Sequence, residues 1–233
     1  MQSPMKLRFS NPRSHAMTLV EVLVVIVVLA VLVVVLLPGF QPHAEPARRI
    51  SCVNNLKEIG LAYHLWSEDH QGKFPMQVSV TNGGAMELIA TGNVAACFQV
   101  ISNELSMPMI LHCPADMAHI QTRSFAGLAS SNISYFVGVD VTNEMNPQMI
   151  VSGDDNFTIG GTPVNSGLLE LSTNSAIAWT SGRHFSYKEH FWTPTHEIGN
   201  IGLSDGSVQV VTISGLANLF HQTGLATNRL AIP

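Results

Sequence analysis

The stretch M17-T-L-V-E-V-L-V-V-I-V-V-L-A-V-L-V-V-V-L-L37 is an apolar run broken by a single carboxylate, Glu21, close to its start. It follows a short leader with Lys6, Arg8 and Arg13 and no acid. About 20 apolar residues suffice to cross a bilayer core of roughly 30 Å as a helix. A carboxylate within such a helix costs on the order of 2.5–3.5 kcal/mol, so it calls for something specific that offsets the cost.

Working outward, the chain has 233 residues, of which 12% are charged and 46% hydrophobic, a balance that excludes a disordered polypeptide. Its formal charge is −5; without the leader, 8 basic residues face 16 acidic ones, or −8. So acidic a body has no electrostatic footprint for nucleic acid. The basic leader belongs on the cytoplasmic side, which puts residues 38–233 across the membrane. Three readings compete for the N-terminus. A secretory signal has a shorter apolar core and a small-residue cleavage site, whereas this run ends in Leu36-Leu37-Pro38-Gly39. A plain signal anchor explains the length and leaves Glu21 unexplained.

The third reading rests on Ala16-Met17-Thr18-Leu19-Val20-Glu21, which resembles the class III signal of type IV pilins and type II secretion pseudopilins. In that family a prepilin peptidase cuts before the apolar run, typically between Gly and Phe, and N-methylates the new terminus. Here Ala16 and Met17 occupy those places. Cleavage after Ala16 makes Glu21 the fifth mature residue, where the family keeps a Glu, and Pro38 the twenty-second, where pilins commonly place a proline. An amine beside a buried carboxylate can offset the cost of both charges, and an amine from a neighbouring subunit also fixes register. Glu21 thus reads as an assembly determinant; the alternative is a side chain that snorkels to the interface.

Beyond the anchor, Gln41-Pro42-His43 and Glu45-Pro46 should loosen the helix. Cys52, Leu56, Ile59, Tyr63 and Trp66 then recur at spacings of 4, 3, 4 and 3, one apolar helix face, with Asn54, Asn55, Lys57, Glu58, Glu68 and Asp69 on others. Gly72 is the expected stop. The segment Arg48–Ala62 resembles the region behind the anchor in proteins with a prepilin-type cleavage/methylation segment that abound in Verrucomicrobia and Planctomycetes. So do His112-Cys113-Pro114-Ala115-Asp116, Ser134-Tyr135-Phe136-Val137-Gly138 and Thr227-Asn228-Arg229-Leu230-Ala231-Ile232-Pro233. His196 with Asp205-Gly206 approximates a His-x9-Asp-Gly element, with eight residues intervening.

The predicted organisation is a leader over 1–16, a transmembrane and assembly helix over 17–37, an amphipathic extension over 38–72 and a periplasmic head over 73–233. The fold class is α+β, a long N-terminal helix packed on a small antiparallel sheet. A short helix interrupted at Gly92 is expected within 85–106, and strands within 133–140, 175–180 and 199–213. Asp205-Gly206 predicts a two-residue type I′ hairpin turn. Ser214 is the expected cap of a last helix with Leu216, Leu219 and Phe220.

Three cysteines, Cys52, Cys97 and Cys113, imply one bridge and one free thiol in an oxidising compartment. Cys52 with Cys113 would tie the helix to the head, and Cys97 with Cys113 is the other choice. No C-x2-C spacing supports zinc. His184, His190 and His196 among aromatic residues could form a metal site or general base, but no catalytic motif accompanies them, so no enzyme is expected. Asp140, Asp154 and Asp155 offer oxygen ligands without EF-hand spacing; calcium is the weak alternative to no cofactor, and 153–156 reads as a polar surface loop. The resemblance implies a structural subunit of a type II secretion or type IV pilus-like filament. Its partners would be the prepilin peptidase and N-methyltransferase, copies of itself, other pseudopilins, an inner-membrane assembly platform and the bilayer. A receptor or adhesive module that is tethered but never polymerises is the rival reading.

Overall fold

The structure, a computed structural model, describes residues 18–36, 44–142, 146–180, 185–187 and 196–233. The chain divides into two compact units, Met1–His43 and Ala44–Pro233. The first contains helix α1 (Leu19–Leu36). The second opens with α2 (Ala44–Asp69). Pro46 lies in the first turn of α2, where a backbone donor would lack an intrahelical acceptor anyway, so the helix tolerates it. Gln41, Pro42 and His43 lie outside the described residues. The helix stops where Gln71 and Gly72 turn left-handed (φ 60° and 77°) and the Gly72 N–H donates to the Ser67 carbonyl at 2.9 Å.

The stripe Cys52, Leu56, Ile59, Tyr63 and Trp66 is buried, while Asn54, Lys57, Glu58, Glu68 and Asp69 face solvent. Asn55 is half-buried and bridges inward, its Nδ2 donating to the His112 carbonyl at 3.1 Å and to the Tyr135 hydroxyl at 3.2 Å. Three short helices follow, α3 (Met86–Ile89), α4 (Val94–Val100) and α5 (Ser102–Leu105). Gly92, at φ 87°, separates the first two, and Asn93 caps α4 by accepting from the Ala96 N–H at 3.1 Å.

The strands are β1 (Tyr135–Gly138), β2 (Ile150–Asp154), β3 (Phe157–Ile159), β4 (Thr162–Pro163), β5 (Gly167–Ser172), β6 (Ile177–Trp179), β7 (Phe185–Tyr187), β8 (His196–Leu203), β9 (Val208–Thr212) and β10 (Thr227–Ile232). A large antiparallel sheet runs β5-β10-β1-β2-β8-β7, with β9 paired to β8; a small one runs β4-β3-β6. A helix packed on an antiparallel sheet makes the fold α+β, the class expected from the sequence.

Both faces of the large sheet are covered, which the two-residue period of its strands makes visible. Tyr135 and Val137 join α2 in one core, while Phe136, between them, joins the other. On β10, Ala231 belongs to the α2 side and Leu230 and Ile232 to the opposite side. There they meet Phe157, Trp179 and helix α6 (Ile213–Gln222) through Leu216, Leu219 and Phe220. Trp179 lies against the backbone of Gly199 and donates its Nε1–H to the Val211 carbonyl at 2.9 Å.

Three local expectations need correction. The β8–β9 connection is a three-residue loop. The Gly206 N–H donates to the Leu203 carbonyl at 3.0 Å, the Leu203 N–H to the Ser207 carbonyl at 2.9 Å, and Gly206 alone in the turn has positive φ (81°). A type I′ turn needs positive φ at both central residues, whereas a type I turn closed by a left-handed glycine needs only one. The last helix is capped by Thr212, whose Oγ1 accepts from the Gly215 N–H at 3.3 Å; Ser214 lies inside it. Residues 153–156 are no surface loop: Gly153 and Asp154 end β2, and Asp154, Asp155 and Asn156 are all buried.

The disulfide joins Cys52 on α2 to Cys113, with Cα atoms 5.1 Å apart and 61 residues of separation. Closing a loop of that length stabilises the fold by about 2–4 kcal/mol. Cys97 is free and buried, with its sulfur 3.5 Å from the Tyr63 hydroxyl. Burial pushes its thiol up to about 12, and the Tyr63 contact opposes this only in part.

Two outcomes follow from this packing. A Cβ at Gly138 would sit 2.0 Å from the Ile150 carbonyl oxygen, whereas one at Gly127 meets nothing within 4 Å. Gly138→Ala should therefore lower the unfolding free energy by about 2 kcal/mol or more, and Gly127→Ala should leave it nearly unchanged, as read by urea denaturation of the full chain. Cys97, with almost no thiolate at pH 8, should resist iodoacetamide in the folded chain and react fully once denaturant exposes it, as read by peptide mass spectrometry.

Candidate functional site

The N-terminal site is built on α1, whose sequence contains sixteen Leu, Ile and Val residues, one Ala and one Glu. Its described side chains are exposed on every side of the helix, Leu19 at 80% and even the most covered of the large apolar ones, Val22, at 43%. A helix apolar all round is stable only when something other than water covers it. Among the described residues no helix is long and apolar enough to cross a membrane. As described, α1 has 18 residues, about 27 Å at ~1.5 Å per residue. Ala16, Met17, Leu37 and Pro38 lie outside the described residues.

Glu21 already has local partners. Its Oε2 accepts from the Thr18 N–H at 2.7 Å and from the Thr18 hydroxyl at 2.9 Å, while the Glu21 N–H donates to Thr18 Oγ1 at 3.3 Å. This is a reciprocal capping box, in which Thr18 caps the helix and the third residue on reaches back. The Thr-x-x-Glu spacing was there to be read in Thr18-Leu19-Val20-Glu21. A carboxylate in this place also complements the positive end of the helix dipole.

The other sequence-derived candidates separate in space. Asp140 pairs with Arg229, accepting from its Nη2, its Nε at 2.9 Å and its backbone N–H at 3.0 Å. Asp154 accepts from the backbone N–H and Nδ2 of Asn200, each at 2.8 Å. His196 opens β8 opposite Tyr187, whereas Asp205 and Gly206 lie beyond its far end, roughly 25 Å away at ~3.3 Å per residue. The resemblance to a His-x9-Asp-Gly element therefore does not converge on one site. His184 and His190 are outside the described residues.

Sequence reasoning missed a polar cluster in the loop behind the disulfide. His119 Nδ1 lies 2.5 Å from Asp116 Oδ2, and Nε2 of the same ring lies 3.9 Å from Asp155 Oδ2. The other Asp116 oxygen accepts from the Ala118 N–H at 2.8 Å. His112 Nε2 is 3.1 Å from the His119 carbonyl. Ser134 links the two halves, its Oγ accepting from the Cys113 N–H at 3.0 Å and its carbonyl from the Asp155 N–H at 3.3 Å. Burial, then the charge of Asp154, with smaller contributions from Asp116 and Asp155, holds the Tyr135 phenol well above the usual tyrosine range. The local signal was Asp116-x-x-His119; Asp155 arrives only through the pairing of β1 with β2.

Comparison with known proteins bears on the first site. Residues 11–37 match the family described as "Prokaryotic N-terminal methylation motif". Residues 41–88 match the family described as "Protein of unknown function (DUF1559)". No curated protein and no solved structure matches the chain. The methylation motif covers the capped start of α1 together with Arg13 of the leader, and the second match covers all of α2 and runs into α3. In that order, the two matches support a type IV pilin-like protein with a prepilin-type N-terminus.

Proposed function

We propose that this chain is a structural subunit, a pseudopilin or pilin, of a type II secretion or type IV pilus-like filament. A prepilin peptidase cuts it after Ala16 and methylates Met17, and the 17–37 helix anchors it in the inner membrane with the head in the periplasm. The observation that carries this reading is the all-round apolar α1 with a single capped carboxylate in its first turn, inside a methylation motif. Magnitudes favour insertion. On insertion scales each Leu, Ile or Val contributes about 0.3–0.6 kcal/mol, so the sixteen in α1 contribute about 5–10 kcal/mol against roughly 3 for the carboxylate. The anchoring run therefore tolerates Glu21 even before any partner is counted.

In the filament, apolar faces of neighbouring helices cover one another and Glu21 meets the methylated amine of an adjacent subunit, which sets axial register. An assembly platform and its ATPase supply the work, and the head needs no catalytic residue. The disulfide suits this oxidising location.

Mass spectrometry of the N-terminal peptide from membranes and from sheared surface material tests the proposal. A chain starting at N-methylated Met17 in the sheared fraction is the expected result. A chain that keeps residues 1–16 and stays in membranes would make it a tethered module that does not polymerise. The capping box sharpens a second test. Glu21→Gln keeps a side-chain acceptor for the Thr18 N–H but removes the charge. It should insert normally and lose assembly as completely as Glu21→Val; normal assembly of Glu21→Gln would leave Glu21 a helix cap only.

A further inference from the structure

We propose that the loop behind the Cys52–Cys113 disulfide holds a divalent transition-metal ion, zinc being the best fit, through His119 Nε2 and the Asp155 carboxylate, with Asp116 orienting the imidazole. The ligand atoms of Asp116, His119 and Asp155 all lie within 4.8 Å of one another. A carboxylate can only accept, so the 2.5 Å contact makes Nδ1 the donor and turns Nε2, the second ligand-capable nitrogen, away from Asp116. That nitrogen faces Asp155 Oδ2 at 3.9 Å, too far for a hydrogen bond, and has no hydrogen-bond partner among the described residues. The His119 side chain is only 9% exposed. A half-buried imidazole nitrogen directed at a carboxylate across such a gap leaves room for a bridging cation. Zinc with ~2.0–2.1 Å to nitrogen and ~2.0–2.2 Å to oxygen spans the gap at a wide angle and needs only a small closure to reach ordinary geometry.

The surroundings are those of a metal site. Carboxylate-to-histidine-to-metal is the common way a protein fixes a ligand's tautomer and raises its basicity, and Asp116 is itself locked by the Ala118 N–H. The disulfide and the two Ser134 contacts hold the segments that bear Asp116 and Asp155 against each other. Burial is the main cause that raises the Tyr135 phenol, and the nearby carboxylates of Asp154, Asp116 and Asp155 add to it. An imidazole ligand selects against calcium and magnesium, which prefer oxygen alone. Water can complete the coordination beyond these two ligands from the described residues. This role is independent of filament assembly, since it concerns the head alone.

The test uses the full chain in detergent micelles, stripped with chelator and titrated with zinc sulfate by calorimetry. One zinc per chain is expected. Binding should disappear in His119→Ala and Asp155→Asn and weaken about 10–100-fold in Asp116→Asn. His221→Ala, an exposed histidine on α6, should bind as the parent does. Far-UV circular dichroism of the metal-free variants checks that they fold. A measurement without variants stands beside it: zinc should shield His119 of the parent chain from diethyl pyrocarbonate, as read by peptide mass spectrometry. No binding at millimolar zinc, unchanged affinity in His119→Ala, or an unshielded His119 would each overturn the site. Preference for calcium over zinc would overturn the metal class.

Discussion

The packing of α2 on the large sheet is the constraint on which the head depends. Its buried stripe, Cys52 to Trp66, fills one face of the sheet, and the disulfide from its first buried residue fastens the crossing loop to it. The approach is close: a Cβ on Gly60 would lie 3.7 Å from the Gly206 Cα, so a small residue on the helix meets a turn glycine. Asn55 extends the same contact with hydrogen bonds to His112 and Tyr135. Remove the helix and one core loses most of its cover, the loop of Asp116 and His119 loses its clamp, and β1 loses its partner layer.

The opposite face imposes a second condition. Antiparallel sheets often leave one face to water, but here β1, β2 and β10 are buried on both sides, by α2 on one and by the small sheet with α6 on the other. That is why buried glycines recur where backbones approach. Gly138 faces the Ile150 carbonyl, and Gly199 lies under the Trp179 ring. It is also why 153–156, polar in composition, lies inside: the chain crosses between the two sheets there, and Asn200 and Ser134 supply hydrogen bonds that water would otherwise provide.

The two units obey opposite rules. The head covers its own apolar residues, whereas α1 presents Leu, Ile and Val all round, a surface that water does not favour. Its capping box reconciles a carboxylate with this surface, since Thr18 satisfies Glu21 within one turn and Glu21 in turn satisfies an amide that has no helical acceptor. Glu21 thus finds hydrogen-bond donors within the first turn, neither of which neutralises its charge.

What the sequence by itself determined is what short-range periodicity and spacing encode: the apolar run with its early Glu21, the α2 stripe with its Gly72 stop, the break at Gly92 and the α+β class. These are decided within one or two turns or within a strand, so neighbouring residues suffice. The tertiary structure alone decided which cysteine pairs with Cys113, that Thr227–Ile232 forms a strand between β5 and β1, that Asp154 and Asp155 are buried, and that His119 faces Asp155. Each depends on segments distant in sequence meeting across a packed sheet, and a single segment holds no record of the partner it will meet. Even the hairpin turn followed this division: Gly206 was legible as the left-handed residue, but whether Asp205 joined it was fixed by the register that β8 and β9 adopt between two cores.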